Sequence, residues 1–267
     1  MIKVLENLKY YSERELYDKF KDIGDLKKIE GVILDTRCIN LNDYPDLKVI
    51  SRNGVGLDNL DLVECEKRNV KVCITVCNEL SIAVAEHVLY LALRLLKNKG
   101  ELLTNKQIGI IGFGRTGYLF YRMVKFLTSK NIITYDILYD SNEQSREIFK
   151  KRLLNLSDII AVCVSGNKEV IGRKELDMMK DGSYIVSVAR DKCVDDSLIT
   201  SAILNGYKIA GYASDVNKDN RENKSLYEKY NILYTSHIAS LPAKAFTEKQ
   251  CIDNLYEELK HGTNKTG

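Results

Sequence analysis

Four groups of residues in this chain have types and spacings suited to chemistry. The first is Gly112-Phe-Gly-Arg-Thr-Gly117, a G-x-G-x-x-G after an apolar run, with Asp136 following about 20 residues later. Glycines at these places permit a tight turn, close approach of main chain to a pyrophosphate, and helix-on-strand packing. The N-terminus of the following helix favours an anion, so Gly112, Gly114, Arg115, Thr116 and Gly117 read as a phosphate-binding turn. The Asp136 carboxylate suits a ribose diol and repels a 2′-phosphate, which favours NAD over NADP. The second and third groups are Arg190 and His237. Arg190 ends the apolar run 184–189, where a fixed cation needs a protein carboxylate or an anionic ligand. His237 ends another run, and an imidazole there is either structural or a proton carrier near neutral pH. The fourth group is Ser-Arg-Asn-Gly-Val-Gly-Leu-Asp-Asn-Leu-Asp over 51–61, in which Gly54 and Gly56 let main-chain N–H groups cup an anion beside Arg52. Asp58, Asn59 and Asp61 read as turn and helix-start residues rather than a metal cluster.

The elements that must position these residues alternate almost from end to end. Short apolar runs predict strands at 2–5, 31–35, 48–51 and 70–75, with helices over 12–20 and 60–68. Continuous apolar strands between helices predict a parallel sheet covered on both faces. A long helix follows over 79–97, with Glu86, Tyr90, Arg94 and Lys97 on one polar stripe and apolar residues nearly everywhere else. Such a helix is buried on several sides, as a bridge between domains or in a subunit interface. His87 lies on it and reads as a packing or interface residue. The pattern restarts after 98–101, with strands at 107–112, 132–135, 159–164, 184–188, 208–212 and 232–235, and helices including 116–127, 173–179 and 196–205. Six strands with crossover helices predict a doubly wound dinucleotide fold. A last helix over 243–259 returns to the first domain. The expected organisation is therefore a discontinuous substrate domain, 1–80 plus 241–267, and a dinucleotide domain, 81–240. Ligands of open parallel sheets bind beyond the carboxyl ends of the strands, so Ser165, Arg190, Asp215 and His237 converge on the edge that carries the glycine loop.

Composition narrows the function classes. The 267 residues carry 40 Lys+Arg against 37 Asp+Glu, too balanced for a nucleic-acid partner. No apolar stretch is long enough to span a membrane, and 1–7 lack a signal core, so a cytoplasmic location is expected. Seven scattered cysteines without a C-x-x-C pair, and three histidines, argue against a metal site. Cys73, Cys163 and Cys251 read as reduced core residues.

Taken together these residues resemble the D-isomer-specific 2-hydroxyacid dehydrogenases, the family of phosphoglycerate dehydrogenase. The resemblance rests on 51–61, Val-Ala-Glu-His at 84–87, the glycine loop, Ser157-Asp-Ile-Ile160, Val188-Ala-Arg190, Ser214-Asp-Val216 and Thr235-Ser-His-Ile-Ala-Ser240, in family order. It implies an NAD-binding Rossmann domain inserted in a smaller flavodoxin-like α/β substrate domain, and a homodimer formed through the long helix. It further implies that Arg190 anchors the substrate, His237 is the acid/base, and Asp215 meets the nicotinamide carboxamide. Ser165 and Ala189 would line the cofactor site. Arg52, Asn53, Gly54, Val55 and Gly56 would hold the carboxylate of a small 2-hydroxy or 2-keto acid. The chain departs from the family pattern at several places. Arg190 is followed by Asp191, Ser165 and Ser236 replace prolines, and Asn220 stands where the family has a catalytic Glu. Glu222, two residues on, is then the candidate partner of His237. Loss of that Glu leaves a second reading, an NAD(H)-binding sensor or interaction module with weak or no turnover.

Overall fold

A computed structural model describes residues 2–4, 8–23, 28–35, 37–57, 59–139, 142–215 and 224–263. The chain divides into two compact units, Met1–Leu80 with Pro242–Gly267, and Ser81–Leu241.

The first unit is a four-stranded parallel sheet, β1 (Ile2–Val4), β2 (Gly31–Leu34), β3 (Val49–Arg52) and β4 (Lys71–Ile74), in that order. β2 and β3 are buried at every position, as the apolar runs require. Helix α1 (Glu13–Phe20) starts at a capping box, in which the Glu15 N–H donates to Ser12 Oγ and the Ser12 N–H donates to Glu15 Oε2. Its Leu16 and Phe20, one turn apart, face the core. Helix α2 (Leu62–Lys67) starts at Asp61, whose carboxylate accepts the Glu64 N–H at 2.9 Å. The described strands pair in simple sequence order, with β1 at one edge.

The final helix α9 (Lys244–Thr263) completes this unit by packing on β2, β3 and β4. Cys251, Ile252, Leu255 and Leu259 enter one core with Leu16, Phe20, Ile33 and Val49. Polar staples fix its position. Ser51 Oγ donates to the Cys251 carbonyl at 2.7 Å, and the fully buried Glu248 accepts the N–H groups of Lys9 and Tyr10 at 2.9 Å each.

The second unit holds six parallel strands: β5 (Ile108–Ile111), β6 (Ile132–Tyr135), β7 (Ile159–Val162), β8 (Ser183–Ser187), β9 (Ile209–Ser214) and β10 (Ile232–Tyr234). Their order is β10-β9-β8-β7-β5-β6. The direction of winding therefore reverses between β5 and β7, the switch point where doubly wound sheets bind ligands. One core lies on each face of the sheet, since neighbouring strand residues point opposite ways: Ile108 and Ile110 enter one, Ile111 and Ile160 the other. Helix α3 (Asn78–Asn98) buries Ala85, Val88, Leu91, Ala92, Leu95 and Leu96 against the first face and leaves Glu86, Tyr90, Arg94 and Lys97 exposed. The remaining helices are α4 (Arg115–Val124), α5 (Glu143–Leu156), α6 (Arg173–Met178), α7 (Asp196–Leu204) and α8 (Lys224–Lys229). No helix of the described residues is long and apolar enough to cross a membrane.

Candidate active site

The register of the second sheet explains why polar residues collect along one edge. Tyr135, Ile111, Val162, Ser187, Ser214 and Tyr234 form a single row across β6, β5, β7, β8, β9 and β10. The ladder carries on for one residue in five of these strands. Gly112 donates to Tyr135, Cys163 to Ile111, Val188 to Val162, Asp215 to Ser187 and Thr235 to Ser214. The chain then leaves the sheet. Arg190 and His237 each stand three residues beyond this row, after β8 and β10 respectively. At about 4.8 Å per strand, their strand ends are roughly 10 Å apart.

The glycine loop leaves β5. Gly112 has φ +90°, and a side chain there would press on Val164 N at 2.7 Å and Cys163 C at 2.8 Å. A Cβ on Gly117 would collide with the Gly112 carbonyl oxygen, so this glycine serves helix packing. Gly114 differs: a Cβ there meets nothing within 4 Å. It caps α4 without a side-chain bond, so the first-turn N–H groups of Arg115, Thr116 and Gly117 present an uncapped positive helix end. Asp136 braces the turn from β6, its Oδ2 accepting the Phe113 N–H at 2.7 Å and its Oδ1 the Leu138 N–H at 2.9 Å. Each carboxylate oxygen keeps a second acceptor site for a ribose hydroxyl. Ser165 is exposed beyond β7. Ala189 is 1% exposed and belongs to the core.

Asp215 is buried, and its carboxylate serves its own chain. Oδ1 accepts from Thr235 Oγ1 at 2.6 Å and from the Ile238 N–H at 2.8 Å, and Oδ2 accepts from the Ala239 N–H at 2.9 Å. These bonds bracket His237, which is exposed and has φ +53°, a region few residues other than glycine adopt. His87 joins the same group, with Nε2 3.0 Å from Thr235 Oγ1 and 3.6 Å from Asp215 Oδ1. Its side chain is 11% exposed, and burial lowers its pKa from the usual 6.5, against the opposing pull of Asp215.

In the first unit, residues 52–56 follow β3. The Arg52 guanidinium is turned onto its own loop, with Nε donating to the Gly56 carbonyl at 2.9 Å and Nη1 to those of Asn53 at 2.7 Å and Leu34 at 3.4 Å. Thr75, at the end of β4, donates its N–H to the Arg52 and Gly54 carbonyls and its hydroxyl to that of Arg52. With the carbonyls drawn inward, the N–H groups of Gly54, Val55 and Gly56 make no hydrogen bond among the described residues. Gly54 has φ +128°. Successive unpaired N–H groups of this kind form an anion-binding concavity. Arg52 thus shapes the loop that the resemblance assigns to the substrate carboxylate.

A family model for the D-isomer specific 2-hydroxyacid dehydrogenase, NAD binding domain, matches residues 85–239, more than half of the chain. The chain belongs to the D-isomer-specific 2-hydroxyacid dehydrogenases. As a member of that family it is an NAD-dependent oxidoreductase, and the glycine loop, the uncapped end of α4 and Asp136 fit its cofactor. It is 31% identical over 228 residues to a D-3-phosphoglycerate dehydrogenase of Archaeoglobus fulgidus, covering 75% of this chain but only 42% of that protein. It is 27% identical over 282 residues to a glyoxylate reductase of Pyrococcus furiosus, covering 91% of this chain and 81% of the reductase. The fold matches the crystal structure of a D-lactate dehydrogenase from Aquifex aeolicus complexed with NAD and lactic acid. The TM-score is 0.73 at 20% identity, over 99% of this chain and 95% of that one.

Within this family member the second unit gathers Gly112, Gly114, Gly117, Asp136, Ser165, Arg190, Asp215 and His237 along one sheet edge. Glu222 and Asn220 lie outside the described residues. Sequence reasoning missed two contributors. Thr75 shapes the 52–56 loop, and His87 belongs to the Asp215 group rather than to packing alone. The only sign of His87 was its place in the Val-Ala-Glu-His stretch.

Proposed function

We propose that this chain interconverts a small D-2-hydroxy acid and its 2-keto acid. The observation that carries the reading is the common position of Arg190 and His237, each three residues past one row of the sheet that also carries the glycine loop. When bound at that loop, NAD supplies the acceptor for the substrate's hydride. His237 takes the hydroxyl proton as the carbonyl forms, and returns it in the reverse direction. Arg190 lies beside the oxygen on which negative charge develops, as a cation that does not lose its proton. Within the first unit, the unpaired N–H groups of Gly54, Val55 and Gly56 suit a carboxylate. Asp136 accepts the ribose hydroxyls, so NAD(H) is bound in preference to NADP(H). A homodimer through α3 belongs to the same reading, supported by Ile82, Tyr90 and Leu93, which stay exposed on a helix otherwise packed; sedimentation measures it.

The test is oxidation of NADH against a panel of glyoxylate, hydroxypyruvate, phosphohydroxypyruvate and longer 2-keto acids. At least one should turn over, and Arg190→Lys, which loses the planar fork, should lower kcat/KM by about tenfold or more. Unchanged kinetics in that variant would remove Arg190 from the site. Tight NADH binding with no turnover of any acid would establish the non-catalytic binding module instead.

A further inference from the structure

We propose that His87 is a positioning residue of this site: through the Thr235 hydroxyl it secures the buried Asp215 carboxylate, which holds residues 235–239 in the shape that presents His237. The proposal rests on His237 being the acid/base.

The direction of the hydrogen bonds follows from the groups themselves. An ionised carboxylate only accepts, so at 2.6 Å the single hydroxyl hydrogen of Thr235 points to Asp215 Oδ1. The hydroxyl oxygen then accepts, and His87 must carry its hydrogen on Nε2, 3.0 Å away. The result is a chain of donors running from His87 through Thr235 to Asp215. Successive bonds of one sense polarise each other, and inside a protein each is stronger than in water. Asp215 needs that support, since a buried carboxylate is costly unless donors surround it. Its donors are Thr235, Ile238 and Ala239, two residues before His237 and one and two after it. Those three bonds hold His237 at φ +53°, a conformation an unrestrained histidine leaves. Loosening the carboxylate therefore releases the one residue whose position the proton transfer depends on. His87 itself is held by α3 and by the tilted Tyr90 ring, 5.6 Å away between centroids, so it offers the loop a fixed point on a helix.

The test uses the full chain and two substitutions. His87→Ala deletes the donor, while His87→Gln restores an N–H at similar reach. In keto-acid reduction His87→Ala should lose about tenfold in kcat, the worth of one bond to a charged group, with KM for the keto acid moving less than about twofold. His87→Gln should recover kcat to within about threefold. Amide hydrogen exchange, read without substrate, should quicken at Ile238 and Ala239 by about tenfold in His87→Ala and return in His87→Gln. Should His87→Ala not fold, Thr235→Val against Thr235→Ser asks the same question from the middle of the chain. Unchanged exchange in His87→Ala, or a folded His87→Gln that rescues neither exchange nor kcat, overturns the proposal. Wild-type protein that turns over no 2-keto acid overturns the dehydrogenase reading instead, and the exchange measurement still decides whether His87 holds the loop.

Discussion

Gly114 and Gly117 stand three residues apart in the same loop, and the structure separates what an added methyl does at each. At Gly117 the methyl collides with the Gly112 carbonyl oxygen and approaches Ile110 Cγ2 to 3.3 Å. Main chain cannot swing aside as a side chain does, so overpacking costs about 3 kcal/mol, offset by about 1 kcal/mol of helix propensity gained over glycine. The remaining ~2 kcal/mol corresponds to a drop of about 4–8 °C in Tm for a unit of this size. At Gly114 the methyl enters open space. Replacing glycine gains about 0.4–1 kcal/mol by restricting the unfolded chain, and a comparable loss at the N-cap cancels it, so Tm should stay within about 2 °C. In the proposed reading that space receives the cofactor pyrophosphate, so Gly114→Ala should instead lose about 1–3 kcal/mol of NADH binding, or roughly five- to 150-fold in Kd. Thermal melting and fluorescence titration with NADH read the two quantities separately. Gly114→Ala that binds NADH like wild type, or that melts alongside Gly117→Ala, would refute the assignment of that space to the cofactor.

Three further outcomes are expected. Asp136→Asn keeps one acceptor for the Phe113 and Leu138 N–H groups but removes the charge, so the ratio of NADPH to NADH Kd values, measured by calorimetry, should narrow by about tenfold. His87 has a pKa lowered below 6.5, so the folded state binds fewer protons than the unfolded one and stability falls as pH drops through 6.5 toward that lower value. Urea midpoints between pH 7.5 and 5 should show this loss, and His87→Gln should flatten it, as a group that does not titrate must. Glu248→Gln turns an NH2 group toward the Lys9 or Tyr10 N–H, which should destabilise the first unit by about 2–3 kcal/mol in urea unfolding.

What was legible in the sequence was the part written locally. β7 is buried at each of its four positions, and its apolar run has no other reading between polar neighbours. Asp61 starts its helix through an atom three residues from its target, a distance any sequence displays. α5 was missed because Ile148 and Phe149 face solvent, at 61% and 53% exposure, so only Leu153 and Leu154 mark an inner face. The site divides in the same way. Glycine spacing announces the loop, since each glycine answers a local need. The intrachain partners of Asp215 were not legible, because nothing near it in sequence shows that Thr235, Ile238 and Ala239 come back to its oxygens.

The first unit encloses the second in the order of the chain, and this has a consequence for biosynthesis. When residue 241 has been made, every strand of the second unit has been translated, while the core formed by Leu16, Phe20, Ile33 and Val49 still lacks Cys251, Ile252, Leu255 and Leu259. The strands β1 to β4 therefore wait, with an apolar sheet face uncovered, until α9 leaves the ribosome. Nascent chains stalled short of α9 should be the aggregation-prone and chaperone-bound species. A circular permutant that begins at Pro242 and joins the old termini by a flexible linker would supply α9 first and shorten that interval.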